Sequence, residues 1–108
     1  MSIDAFKVLF FQCYPEFLSF SVLFLQDRAA ASRLTLEAFF LLWDRHTEFD
    51  SEKKIRSFLY LAVRNKCLNY MKGLPHSPAT DARIPEGIPS SLPPDILADI
   101  LAYAALER

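Results

Sequence analysis

The chain has 108 residues, a formal net charge of −1 and 52% hydrophobic residues. These values fit one globular domain and exclude a strongly basic chain that binds polyanions over its whole surface. Two cysteines and two histidines, far apart along the chain, predict neither a disulfide framework nor a metal site. With only two glycines and no alternating run of strand length, we predict an all-α chain. No catalytic constellation is evident, so we predict a protein that is not an enzyme and needs no cofactor.

The first quarter of the chain is apolar and predicts helices. Residues 2–13 repeat apolar side chains at helical spacing, and residues 15–26 are apolar nearly all round. Pro15 predicts either a kink in one helix or the first turn of a second helix. The apolar run 17–25 is too short to span a bilayer and no signal peptide is evident. We therefore predict a cytoplasmic protein without membrane contact.

Residues 28–46 predict the next helix, with Asp27 as its N-terminal cap. Its predicted core stripe consists of Leu34, Ala38, Phe39, Leu42 and Trp43. We expect Trp43, the only tryptophan, to be buried. A polar linker over residues 46–52 follows, and in it we expect Phe49 to be exposed.

Positive charge concentrates in residues 51–72, which carry a net charge of +5, whereas the segments before and after each carry −3. No glycine or proline interrupts this stretch, so we predict one helix of about 18 to 20 residues, capped by Asp50 or Ser51 and ended by Gly73. Cations alternate with aromatic residues, which is the composition of a surface for single-stranded nucleic acid. A solvated helix whose aromatic side chains pack into a core has the same composition, and the pattern alone favours this second interpretation.

The last third of the chain changes character. Six prolines lie between residues 73 and 94, which predicts an extended or disordered linker. A short helix is predicted after them, over residues 95–107. The predicted organisation is a helical domain over 1–72, a linker over 73–94 and a short helix within 95–108.

The basic stretch and the segments before it together resemble a known family. The run Ser57–Tyr70, with Ala62-Val63-Arg64-Asn65 at its centre, resembles region 2 of extracytoplasmic-function (ECF) sigma factors. These are promoter-recognition subunits of bacterial RNA polymerase, in the sigma-70 family. Upstream, Glu37–Trp43 is similar to the family's Glu-x-Phe-x-x-x-Trp segment, and Tyr14–Leu18 and Gln26–Arg28 also fit. The resemblance covers about residues 4 to 72 and implies a mainly three-helix bundle.

The resemblance implies partners and site residues. By this resemblance, the second predicted helix of the chain would bind the clamp coiled coil of the largest polymerase subunit. The contact would be an exposed face made of Arg33, Leu36, Glu37 and Phe40. The linker and basic helix would bind the promoter minus-ten element as melted single strand through Phe49, Lys53, Lys54, Arg56, Arg64, Asn65 and Lys66. In that scheme the Asn65 amide reads a base edge, Phe49 stacks on a base and the cations follow phosphates. The equal alternative for Phe49 is a ring that packs at the end of the bundle. An anti-sigma factor is a further partner that the resemblance implies.

The chain departs from the family in two places. Arg33 and Leu36 stand where many members have an acidic residue and Gln, which makes the polymerase-binding face more apolar and less acidic. The alternative is a sigma-like interaction module without promoter recognition, which dimerises or binds a regulator through the face of Leu36 and Phe40. A complete sigma factor also carries a C-terminal helix-turn-helix, and nothing after Pro94 is long enough to supply it. We therefore expect either a fragment, in which the helix within 95–108 begins the absent domain, or a protein with region 2 alone.

Overall fold

The computed structural model describes residues 1–73, 85 and 87–106 and consists of helices. The four α-helices are α1 (Ile3–Leu25), α2 (Arg28–Asp44), α3 (Glu52–Met71) and α4 (Pro94–Leu106). A single 3₁₀ turn, His46–Glu48, lies between α2 and α3, and the described residues contain no strand. The first three helices pack on one another, and the short α4 packs mainly on α1. The predicted all-α bundle with a short C-terminal helix is confirmed.

Pro15 lies inside α1, which continues through it as one helix. The alternative of a second helix beginning at Pro15 is therefore wrong. Proline removes one backbone hydrogen bond, but buried residues on both sides, Cys13, Tyr14, Phe17 and Leu18, hold the helix against its neighbours. Ser2 caps the start of α1 and Gln26 ends it with a positive φ of 56°.

The second helix, α2, is the centre of the bundle. Asp27 caps it by accepting a hydrogen bond from the amide of Ala30, as the sequence predicts. From Ala30 to Trp43 every residue except Leu41 is buried. Phe39 contacts three aromatic rings of α1, those of Phe10, Tyr14 and Phe17. A helix buried over most of its circumference needs covering elements on more than two sides.

The third helix, α3, matches the predicted basic helix closely. Ser51 caps it by accepting from the amide of Lys54, and the chain leaves it at Gly73 with a φ of +70°. Its buried residues recur at helical spacing and form one face: Leu59, Ala62, Val63 and Cys67. The other side of the helix is exposed, and most of its charged residues lie there.

The C-terminal segment packs against the bundle. Residues 74–84 and 86 of the predicted linker lie outside the described residues. In the described part, Pro85, Pro89 and Leu92 are buried, so this part is not a free extended linker. In α4, residues at spacings of four, namely Ile96, Ile100 and Ala104, complete the same core. Tyr103 packs edge-on against Phe11 at 5.0 Å.

Within the described residues, α1 alone is long and apolar enough to cross a membrane by length and composition. The buried core helix of a soluble protein meets the same criterion, and 39% of the most apolar part of α1 is buried in this bundle. The apolar character of α1 therefore already has a structural role in the core.

Candidate nucleic-acid interface

Two amides, two cations and an aromatic ring come together in a groove between the end of α2 and the middle of α3. The groove has a volume of about 360 Å³ and is lined by Leu41, Arg45, Phe58, Leu61, Ala62, Asn65, Lys66 and Asn69. Asn65 and Asn69 lie four positions apart on α3, so their side chains share one face, and both are exposed. An amide offers a hydrogen-bond donor and an acceptor together, which is the combination that reads a base edge.

Phe49, predicted to be exposed in the linker, is half-buried. Its ring packs against Phe58 with the centroids 5.0 Å apart, and the Arg45 guanidinium lies 5.1 Å from the centroid of Phe58. Two hydrogen bonds of 2.9 Å join Arg45 to Glu48 and lower the pKa of that carboxyl. Of the two alternatives for Phe49, the structure shows the packed ring, because the linker returns onto α3. Phe58, not Phe49, is the ring that lines the groove.

Three polar or aromatic residues of this groove were missed by reasoning from the sequence: Arg45, Phe58 and Asn69. Phe58 precedes Asn65 by seven positions and Asn69 follows it by four, so helical spacing alone places both on the face of Asn65. That signal was present in the sequence. Arg45 belongs to another element, and no local pattern relates it to α3.

The predicted phosphate-binding cations of α3 differ in what they contact. Lys53 and Arg64 are exposed and form no ion pair with the described residues. Lys54 pairs with Asp50 at 2.9 Å, with both side chains well exposed. A surface pair of this kind contributes little free energy, so Lys54 stays available to a phosphate.

Arg56 connects α3 to α1. Its Nη2 donates to both carboxylate oxygens of Glu16, at 2.7 and 2.5 Å, and these bonds raise the pKa of the guanidinium. Its Nη1 also donates to Cys13 Sγ at 3.3 Å. A phosphate contact by Arg56 has to compete with Glu16, which distinguishes it from Arg64.

Lys66 takes part in a charge cluster that is mostly buried. Its Nζ lies 3.5 Å from Glu37 Oε1, and Arg33 Nη1 lies 3.5 Å from Glu37 Oε2. Arg33 and Glu37 are only 5% and 4% exposed, and Arg33 Nε has no hydrogen-bond partner. Two cations therefore share one buried carboxylate.

The predicted polymerase-binding face is covered in this structure. Besides Arg33 and Glu37, the apolar members Leu36 and Phe40 are 2% and 0% exposed. The expectation of an exposed face, and of Glu37 as an exposed charge, is therefore wrong for this conformation. The dimer interpretation meets the same obstacle, since a second copy cannot reach Leu36 and Phe40. The C-terminal segment touches α2 at two other places: Ser91 accepts a hydrogen bond from Trp43, and Gly87 lines a cavity with Glu37 and Asp44.

A second groove, of about 420 Å³, lies between α1 and α3 and is lined by Glu16, Phe17, Arg56, Ser57, Tyr60 and Leu61. Leu61 lines both grooves, so the two are neighbours on the exposed side of α3. Tyr60 is 49% exposed and packs on Phe20 with the centroids 4.5 Å apart. The exposed side of α3 is therefore a continuous surface of amides, apolar side chains and cations.

No group of three or more potential metal ligands occurs among the residues that the structure describes. Comparison of the chain with protein-family models, with curated proteins and with solved structures found no match. The function therefore has to be argued from the residues themselves.

Proposed function

We propose that the chain is the region 2 domain of an ECF sigma factor, which binds core RNA polymerase and recognises the promoter minus-ten element as melted single strand. The observation that supports this most is the groove around Asn65, the central residue of the resembling run, because it combines exposed amides with an aromatic wall. The exposed cations Lys53 and Arg64 lie on the same helix. The proposal implies a cytoplasmic location.

The groove supplies the interactions that an unstacked base needs. An extruded base loses stacking and pairing, at a cost of a few kcal/mol. The ring of Phe58 and the apolar side chain of Leu61 provide apolar surface, and Asn65 and Asn69 provide donors and acceptors. The groove opens at the surface, so it can receive a base from a strand that runs along α3.

The backbone of that strand would follow the cations that are not already engaged within the fold. Lys53 and Arg64 are the first candidates, and Lys54 joins them by leaving Asp50. Arg56 and Lys66 have structural partners, Glu16 and Glu37, so their phosphate contacts are weaker candidates.

The test distinguishes residues that contact bases from residues that contact phosphates. Single strands that the chain prefers are first selected from a random pool in the presence of core polymerase. Asn65→Ala should then weaken binding to the selected strand by about 1–3 kcal/mol, with little effect on a scrambled strand and an unchanged salt slope. Arg64→Gln should weaken binding to both strands alike and lower the salt slope by roughly 0.7.

Ser19→Ala, an exposed position on α1 away from the grooves, is the matched control and should change neither quantity. If Asn65→Ala weakens binding to both strands equally, or to neither, then Asn65 does not read a base. Absence of any selected strand removes promoter recognition altogether.

A further inference from the structure

The groove around Asn65 offers more hydrogen-bond donors than acceptors. Its polar lining consists of the amides of Asn65 and Asn69 and the cations of Arg45 and Lys66. Each amide brings donors and an acceptor, whereas a guanidinium and an ammonium bring donors alone. Among the residues that the structure describes, no carboxylate lines this groove. A ligand with neighbouring acceptors therefore satisfies the groove better than a ligand with neighbouring donors.

The guanidinium of Arg45 is oriented by Glu48. Its Nε and Nη2 each donate a hydrogen bond of 2.9 Å to a different oxygen of that carboxylate. A guanidinium carries further N–H donors on Nη1 and Nη2, and two of these are parallel along the end of the planar group. Such a pair of donors binds two adjacent acceptors at once. The contact with Glu48 therefore fixes the guanidinium plane and leaves a second bidentate edge for a ligand.

The aromatic wall of the groove holds the same guanidinium. The Arg45 Cζ lies 5.1 Å from the centroid of Phe58, and the ring of Phe49 packs on Phe58 from another side at 5.0 Å. With 47% of its side chain exposed, Arg45 is open to a ligand although it is held at two points. A flat ligand that contacts Phe58 therefore lies next to an oriented cation.

Lys66 adds donors from the α3 side of the groove. Its Nζ lies 3.5 Å from Glu37 Oε1, which is longer than a strong charge-assisted hydrogen bond of about 2.7–2.9 Å. An ammonium has several donors, so this one long ion pair leaves donors for a ligand. Arg45 at the end of α2 and Lys66 in α3 thus supply positive charge from both elements that form the groove.

Of the four DNA bases, guanine matches this set of groups best. Its O6 and N7 are adjacent acceptors, and an arginine that binds both makes the commonest specific contact with a base. Adenine presents N7 beside a donor, the N6 amine, and cytosine presents the N4 amine. Thymine presents O4 beside a methyl group. Guanine also carries the N2 amine on another edge, and the amide oxygens of Asn65 and Asn69 are acceptors for it.

We propose that the groove selects guanine as the unstacked base of the single strand and that Arg45 determines this preference. The inference rests on the proposed function and names the base that the same groove takes. In the bound state Arg45 donates from Nη1 and Nη2 to O6 and N7, and the charge of Lys66 supports the same acceptors. Phe58 and Leu61 contact the face of the base.

The experiment changes single atoms of the base. The full chain with core polymerase is titrated with the strand that it selects from a random pool, and polymerase without the chain gives the background. We expect an invariant guanine in that strand, whose replacement by adenine weakens binding by about 5- to 100-fold. Exchange for 7-deazaguanine, which lacks N7, or for 2-aminopurine, which lacks O6, should also weaken binding. Hypoxanthine keeps both acceptors and should bind within about threefold of guanine.

Two variants at one position separate the bidentate contact from the charge. Arg45→Met removes both, whereas Arg45→Lys keeps the charge and loses the paired donors. Each should reduce the discrimination between guanine and adenine to less than about twofold, and each should bind 7-deazaguanine as well as guanine. Lys72→Met removes a cation from the exposed end of α3, outside the groove, and should leave the discrimination unchanged. Circular dichroism checks that each variant remains helical.

The outcomes separate this inference from the proposed function. If the selected strand binds but guanine and adenine differ by less than about twofold, the choice of guanine is wrong and the proposed function stands. A preference for adenine that Asn65→Ala removes assigns base reading to the amides and overturns the role of Arg45. If Arg45→Met lowers the salt slope by roughly 0.7 with unchanged discrimination, Arg45 contacts a phosphate and the inference is wrong. Absence of any selected strand overturns the proposed function and this inference together.

Discussion

Trp43 donates its indole N–H to the hydroxyl of Ser91, 48 positions later in the chain, with a distance of 3.0 Å between the two atoms. The same indole stacks on His46 at 4.1 Å and packs against Phe6 at 5.2 Å. One side chain therefore connects α1, the 3₁₀ turn and the C-terminal segment. Movement of any of these elements changes the surroundings of the single tryptophan.

The first prediction concerns this hydrogen bond. Trp43 is 8% exposed, so the folded chain should emit at short wavelength and be quenched little by acrylamide. Ser91→Ala should lower the free energy of unfolding by about 0.5–1.5 kcal/mol and increase quenching, because the indole N–H loses its acceptor. Urea unfolding followed by fluorescence measures both effects. Ser90→Ala, at the exposed neighbour, is the control, and an equal loss there would show that the bond contributes nothing.

The second prediction concerns Glu37. This carboxylate is buried between Arg33 and Lys66, so Glu37→Lys places three cations together in the interior. We expect a loss of about 3–5 kcal/mol and a fall in melting temperature of more than about 10 °C. Asp44→Lys reverses a charge at an exposed position of the same helix and should change the melting temperature by only a few degrees. If Glu37→Lys and Asp44→Lys lower the melting temperature by the same few degrees, then Glu37 is exposed in solution.

The caps of the helices were predictable because they depend on neighbours in the chain. Asp27 and Ser51 each bind an amide three residues later, and that spacing is visible in the sequence. The continuity of α1 through Pro15 was not predictable, since it depends on buried contacts with other helices. Local rules describe helix ends well and the path of a packed helix poorly.

The candidate site was predictable only in part for the same reason. Asn65 was predicted to read a base edge, and it lies exposed on the basic helix, which leaves that prediction open. For Phe49 the sequence left base stacking and packing equally open, because no local pattern shows its contact with Phe58 in the next helix. The burial of Leu36 and Phe40 depends on the elements that pack around α2, and no pattern within α2 shows which of its faces those elements cover. The proline content of the C-terminal segment likewise gives no sign that Ser91 binds Trp43.

The third prediction concerns the two thiols. Burial raises the pKa of both Cys13 and Cys67 above the ordinary value of 9.0, with smaller opposing effects from Arg56 and from a bond to Ser21. A raised thiol pKa means that the folded state favours the neutral form. Its contribution to stability is therefore complete below the unfolded pKa, about 9, and is lost as the pH rises through the folded value.

Two measurements check this prediction. At pH 8 neither thiol should react with a disulfide reagent until the chain is unfolded, because both are buried and protonated. Between pH 8 and pH 10 the urea midpoint of the unaltered chain should fall more than that of Cys67→Ala, which lacks one titrating thiol. Rapid reaction of a native thiol at pH 8 would contradict the buried positions of these residues.

The last prediction separates a structural arginine from a binding arginine on the same helix. Arg56 is engaged by both oxygens of Glu16, whereas Arg64 forms no ion pair with the described residues. Arg56→Gln should therefore lower the free energy of unfolding, by about 0.2–1 kcal/mol because the pair is partly exposed, and leave the salt slope of single-strand binding unchanged. Arg64→Gln should leave the free energy of unfolding unchanged and lower the salt slope by roughly 0.7.

Glu16→Gln provides the matched control, because it breaks the same ion pair from the α1 side without removing a cation. If Arg56 acts only through Glu16, the two single variants should cost the same free energy of unfolding, and combining them should add little to either alone. If Arg56 instead contacts phosphate, Arg56→Gln should lower the salt slope by roughly 0.7, and Glu16→Gln should strengthen binding by freeing the guanidinium. Urea unfolding and salt titrations of the same four proteins, the unaltered chain included, decide between the two roles.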